Sequence, residues 1–161
     1  MEKTVYYLQR QEGYQKVLNE LKGNHTYSEF EAFMKERIYR WWANWKPDYE
    51  GWLQCADGLY AKEGIIDAIG KEPQKYLEYR ASMKGQRDMF EMDMGPIETC
   101  VVEKDTIAFN YKMYMTPKFD MGDMKKGETI VLKVSEFNTF EKLEGYREPM
   151  VTHLQLIASG M

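Results

Sequence analysis

Ile107-Ala108-Phe109-Asn110-Tyr111-Lys112-Met113-Tyr114-Met115 places a large apolar side chain at every second position. Ile107, Phe109, Tyr111, Met113 and Met115 share one parity, the period of a long strand. Reading back from it, Lys104-Asp105 offers a turn and Thr99 to Glu103 a preceding strand. Phe90, Met92 and Met94 alternate earlier still, until Gly95-Pro96 breaks the run, so the chain reads as sheet from Arg87 onward. Reading forward, Pro117 to Gly127 carries Gly122, Asp123 and the adjacent Lys125 and Lys126, the composition of a loop. Ile130, Leu132 and Val134 open the next strand, which continues to about Phe140. Glu144-Gly145 is a turn, and Met150 to Ala158 is the last strand. The C-terminal half is therefore a strongly bent antiparallel meander.

The N-terminal half has the other period. Tyr7, Leu8, Tyr14, Leu18 and Leu21 predict a helix over residues 5–21, interrupted in propensity by Gly13 and stopped by Gly23-Asn24. Ser28-Glu29-Phe30-Glu31 fits a capping box, in which Ser and Glu serve each other's orphan amides. Phe30, Phe33, Met34, Ile38, Trp41, Trp42 and Trp45 then recur at three- and four-residue steps up to Pro47. Asp48 can cap a short helix carrying Trp52 and Leu53. After Ala56-Asp57-Gly58 the period shortens: Leu59, Ala61, Glu63 and Ile65 share a strand face. Pro73, a favourable first helical residue, predicts a helix to about Met83 with Tyr76, Leu77, Arg80 and Ala81 inward. The expected fold is α+β, helices leading and a curved sheet following.

Composition narrows the class of function. The 161 residues suit one domain, large enough to bury a core without disulfide or metal staples. Lys+Arg is 22 against Asp+Glu 26, a net charge of −4 with no basic stripe, which argues against nucleic acid as partner. Cys55 and Cys100 form no C-x-x-C pair and read as reduced core thiols, favouring a cytoplasmic location. The first residues lack the apolar run of a signal peptide, and no stretch approaches the ~20 apolar residues of a membrane span. Two isolated histidines offer no metal spacing, and no phosphate loop, dinucleotide fingerprint or serine nucleophile motif is present. Neither metal nor cofactor is expected. Twelve Met, twelve Tyr, seven Phe and four Trp suit either an irregular core or an adaptable pocket for a small apolar or aromatic ligand.

Three stretches carry a family likeness: the aromatic helix leading into Pro47-Asp48-Tyr49-Glu50-Gly51-Trp52-Leu53; Cys55-Ala56-Asp57-Gly58-Leu59-Tyr60-Ala61; and Ile130-Val131-Leu132-Lys133-Val134-Ser135-Glu136-Phe137-Asn138-Thr139-Phe140. With the order of elements, these resemble the nuclear transport factor 2-like superfamily, in its ketosteroid isomerase and SnoaL-like cyclase branches, over roughly residues 28–158. The resemblance implies a cone whose curved sheet wraps on helices around an apolar pocket. It implies residues 26–161 as the pocket domain and 1–25 as a helical extension that caps either the pocket or a dimer face. It also implies a homodimer, and cofactor-free isomerase, cyclase or lyase chemistry on a small, mostly apolar carbonyl compound. Many relatives are not enzymes, so a non-catalytic binding or interaction module stays open.

Parity singles out two carboxyls. Glu63 shares a face with Leu59, Ala61 and Ile65, and Glu136 with Ile130, Leu132 and Val134. Proton abstraction next to a carbonyl needs a base and a donor for the developing oxyanion. Glu63 matches the isomerase's general-base aspartate and Glu136 its oxyanion-hole aspartate, both one methylene longer here. Tyr39 falls at the family's oxyanion tyrosine by ungapped count, and a one-residue gap would put Arg40 there. A β-bulge would turn either glutamate to solvent. His153, on the last strand, is either a proton carrier or a hydrogen-bonded rim residue. His25, before the helix cap, is expected to be exposed. Trp42 or Trp45 could form the pocket's helical wall, and Phe109, Tyr111, Met113 and Met115 its sheet wall.

Overall fold

The computed structural model describes residues 2–23 and 26–160, apart from the side chains of residues 2–5. His25 lies outside the described residues. Four helices, α1 (Glu2–Gly23), α2 (Glu29–Asn44), α3 (Tyr49–Asp57) and α4 (Tyr76–Met89), pack on a seven-stranded sheet. Its strands are β1 (Tyr60–Ala68), β2 (Gln74–Lys75), β3 (Phe90–Met94), β4 (Thr99–Glu103), β5 (Thr106–Pro117), β6 (Ile130–Glu141) and β7 (Met150–Gly160). The order is β2-β1-β7-β6-β5-β3, with β4 also paired to β5. The sheet is curved and not closed. The meander is antiparallel as expected, but β1 lies parallel to β7, which makes the sheet mixed.

The capping box before α2 is made in full: Glu31 N–H donates to Ser28 Oγ at 3.0 Å, and Ser28 N–H to Glu31 Oε1 at 2.9 Å. Met34, Ile38, Trp41, Trp42 and Trp45 are buried, so the helical stripe faces the core. Asp48 caps α3 by accepting from Gly51 N–H at 2.9 Å.

Helix α1 packs on α2 and β3 through an unexpected line of residues. Tyr7 and Leu8 are exposed, whereas Arg10 and Val17 are buried. Gly13 permits the close approach: a Cβ there would stand 2.6 Å from the Trp42 ring. The Arg10 guanidinium donates to Asp93 Oδ1 (3.1 Å) and to the carbonyls of Met94 (2.5 Å) and Trp45 (3.1 Å).

Two boundaries differ from expectation. Helix α4 starts at Tyr76, because Gln74–Lys75 pairs with Ile65–Ile66, and it runs on to Met89. Leu77 is therefore exposed, and the buried side continues to Arg87. Strand β1 continues to Ala68 and shifts register between Tyr60 and Ile65. The shift reverses parity, so Ile66 rather than Ile65 points into the core. Helix α4 touches both β1 and β3 and so bridges two flanks of the curved sheet.

Candidate functional site

Between the sheet and the helices lies a cavity of about 110 Å³. Met113, Met115, Val134, Leu154 and Leu156 line its sheet side, and Trp41, Trp45, Trp52, Met83 and Arg87 its helical side. Its size suits a compact ligand of one ring or a short chain, since engineered cavities of ~150 Å³ hold benzene. Tyr79, Met83, Gln86, Leu156 and Ala158 also line an outer recess of about 440 Å³. The side chains of α4 thus stand between the inner chamber and the surface.

Glu136 is the one carboxyl on the cavity wall among the described residues. It sits on β6, where Val134, Glu136, Asn138 and Phe140 alternate inward. The irregularity in β6 falls at Thr139/Phe140, beyond Glu136, so the inward parity survives. Glu136 is 4% exposed, Tyr111 Oη donates to its Oε2, and Asn138 Nδ2 donates to Oε1 at 3.3 Å. Burial raises the carboxyl above its ordinary 4.5, and the two hydrogen bonds offset only part of that rise. Tyr60 and Tyr79 also line the cavity. Burial and the nearby Glu136 raise both phenols, Tyr79 to about 12 and Tyr60 well above 10, so each keeps its proton.

Arg87 enters from the last turn of α4. It is 7% exposed and lies 4.9 Å from the Trp52 ring centroid and 5.8 Å from that of Trp45. Desolvation lowers its pKa, opposed by the neighbouring tyrosines Tyr79, Tyr49 and Tyr111.

Of the residues singled out from sequence, Glu136, Trp45, Tyr111, Met113 and Met115 line the cavity. Glu63 does not: the β1 register shift leaves it exposed, accepting from Tyr146 Oη at 3.3 Å. The expected convergence of Glu63 with Glu136 is corrected on this point. Tyr39 packs edge-on against Trp42, ring centroids 5.4 Å apart, beside Cys100. Trp42 donates to the Gly95 carbonyl at 3.0 Å, and Phe109 packs against Trp41. His153 is on the outer sheet face, 4.0 Å from Asp67. These four are outside the cavity lining.

Arg87, Tyr60, Tyr79 and Trp52 complete the wall without having been singled out. The spacing Tyr76, Tyr79, Met83, Arg87 is helical, so extending the helix past Met83 would have found Arg87. Tyr60 is buried together with its neighbours Leu59 and Ala61 at the start of β1, so simple alternation does not select it. No helix among the described residues is long and apolar enough to cross a membrane. No group of three or more His, Cys, Asp or Glu side chains placed to hold a metal occurs among them.

The curved sheet, the leading helices and the enclosed chamber define the cone-shaped pocket fold that the sequence resemblance implied. Solved structures share it. A provisionally named SnoaL-like polyketide cyclase from Jannaschia sp. CCS1 aligns over 84% of this chain and 92% of its own, at TM-score 0.65 and 13% identity. A provisionally named hydroxylase from Streptomyces galilaeus aligns over 80% of each chain, at TM-score 0.61 and 14% identity. A ketosteroid isomerase-like protein from Erwinia carotovora atroseptica SCRI1043 aligns over 82% of this chain and 98% of its own, at TM-score 0.57 and 12% identity. At these identities the likeness is one of fold. No protein-family model and no curated protein matches the sequence.

Proposed function

We propose that this protein acts on a small, mostly apolar carbonyl compound by cofactor-free acid–base chemistry, with Glu136 as the proton-transfer group. The observation that carries this reading is a buried carboxyl among the Met, Leu and Val side chains of the cavity's sheet wall, raised above its usual range and oriented by Tyr111 and Asn138. A carboxyl raised by burial is a stronger proton acceptor than an ordinary glutamate, as proton transfer requires. The protonated phenols of Tyr60 and Tyr79 are the donors available to a developing enolate oxygen. Isomerase, cyclase and lyase reactions all begin with such an α-proton transfer, and the names of the structural relatives are in keeping with this class.

The assay needs no prior substrate: solvent deuterium incorporation α to the carbonyl of small ketones, followed by NMR. Wild type should catalyse exchange, and Glu136→Gln should slow it by about 10²–10⁴-fold. Exchange that is unaffected by the substitution sinks the role of Glu136.

A second reading is favoured by one observation. With Glu63 at the surface, the cavity has a single carboxyl, which suits a binding module that holds its ligand without turning it over. Ligand binding with no exchange in any bound ketone would support it.

Residues 26–161 are taken as the pocket-forming unit, since the lining runs from Trp41 to Ala158, and 1–25 as the extension, whose helix α1 buttresses it. The protein is read as a cytoplasmic homodimer joined through the outer sheet face. There Val101 pairs with Ala108 and Ala108 with Phe137, a row that is apolar and exposed at both ends.

A further inference from the structure

Two residues of the cavity lining carry a buried donor that no described residue satisfies. Arg87 Nε and Trp41 Nε1 are both buried, and neither has an acceptor among the described residues. The residues are 7% and 5% exposed, and both line the same chamber. Of the Arg87 guanidinium, only Nη1 is engaged, with the neutral Gln86 Oε1 at 3.3 Å, and Arg87 forms no ion pair among the described residues. Arg10 Nε also lacks an acceptor among the described residues, but the rest of its guanidinium is engaged by Asp93 and two carbonyls. Asp48 acts on Arg87 through space but forms no ion pair with it, and stacking on Trp45 and Trp52 replaces only part of the guanidinium's lost hydration. Such a group is retained where a ligand completes it, and a planar fork of N–H donors fits a carboxylate best.

We propose that the ligand of this cavity carries a carboxylate that pairs with Arg87, so that the substrate class is a small keto acid rather than a neutral ketone. The inference rests on the reading of this chamber as a small-molecule site and names the chemistry of its occupant. Trp41 donates a further hydrogen bond to the bound anion or to an adjacent oxygen. The indole faces of Trp45 and Trp52 hold the guanidinium in place and border the ligand's apolar body. Burial raises the Glu136 carboxyl and so favours its uncharged form beside an anion. The carboxylate anchors one end, and the remainder of the ligand extends along the Met- and Leu-lined wall toward Glu136.

Two matched pairs test this by calorimetry and tryptophan fluorescence: benzoate against benzamide, and 4-oxopentanoate against 4-oxopentanamide. In wild type the acids should bind about tenfold or more tighter than the amides, the scale of a charge-assisted hydrogen bond. Arg87→Gln should abolish that preference, with far-UV circular dichroism and cooperative unfolding reporting an intact fold. Arg87→Lys should retain a reduced preference and covers the case in which the glutamine variant fails to fold. Acids that bind no better than amides, or that do not bind at all, overturn the proposal, as does a preference that survives Arg87→Gln. The proton-transfer reading fails separately: Arg87-dependent acid binding without deuterium exchange would refute catalysis and leave the anchor standing. Exchange without acid preference would do the reverse.

Discussion

Glu136 and Glu63 received the same argument from sequence and met opposite fates. Both were placed inward by parity, and parity holds only while the ladder is regular. In β6 the irregularity comes at Thr139/Phe140, after Glu136; in β1 it comes between Tyr60 and Ile65, across Glu63. No residue in Ala61-Lys62-Glu63-Gly64 announces the shift beyond Gly64 itself, where a Cβ would stand 3.0 Å from the Ala61 carbonyl oxygen. The consequence for Glu136 is measurable. Its folded pKa lies above the 4.5 of an ordinary glutamate, so the native state binds the proton more tightly than the unfolded chain. Unfolding free energy must then fall as pH rises from about 4.5 through the folded value, and below that window the contribution is fully present. Glu136→Gln removes the titration. Its stability relative to wild type, measured by denaturant unfolding between about pH 4 and pH 8, should rise across the window and level off below it. A difference that does not change with pH would contradict a buried, titrating carboxyl.

At the scale of elements, helix α2 was legible because its cap, stripe and stop agree. Ser28 and Glu31 close the box, the tryptophans follow the helical period, and Pro47 follows its end. Helix α4 was legible only in part. Pro73 looked like a first residue, yet Gln74–Lys75 is taken into the sheet by pairing with β1, a tertiary contact no local signal encodes. The ion pair of α1 was invisible for a similar reason. Arg10 reads as a surface residue on a weakly amphipathic helix, and its partner Asp93 is 83 residues away. That pair fixes α1 against β3, and its removal should be expensive. Arg10→Met removes the guanidinium that pairs with Asp93 and donates to two carbonyls, and should cost about 3–5 kcal/mol in chemical denaturation. A loss below about 1 kcal/mol would show that α1 is held by its apolar contacts alone.

The whole molecule is an enclosure built from two periods. The helical period of α2 supplies Trp41 and Trp45, and the strand period of β5 and β6 supplies Tyr111, Met113, Val134 and Glu136. That much of the chamber was legible, because both elements are long and regular. Its remaining wall, Tyr60, Tyr79 and Arg87, comes from the register shift in β1 and the extra turns of α4. The opposite face of the sheet exposes Phe137 at 41% and Val101 at 59%, the apolar row through which the proposed dimer would join. Sedimentation velocity at micromolar concentration should give a dimer for wild type and a monomer for Phe137→Glu; a wild-type monomer would refute that interface.

The most direct measurement places the chemistry within the enclosure by comparing deuterium exchange into the same bound ketone for wild type, Glu136→Gln and Glu63→Gln. Expected is loss of about 10²–10⁴-fold for Glu136→Gln and wild-type exchange for Glu63→Gln. Loss at Glu63 with retention at Glu136 would contradict the assignment and move the reacting site to the surface of β1.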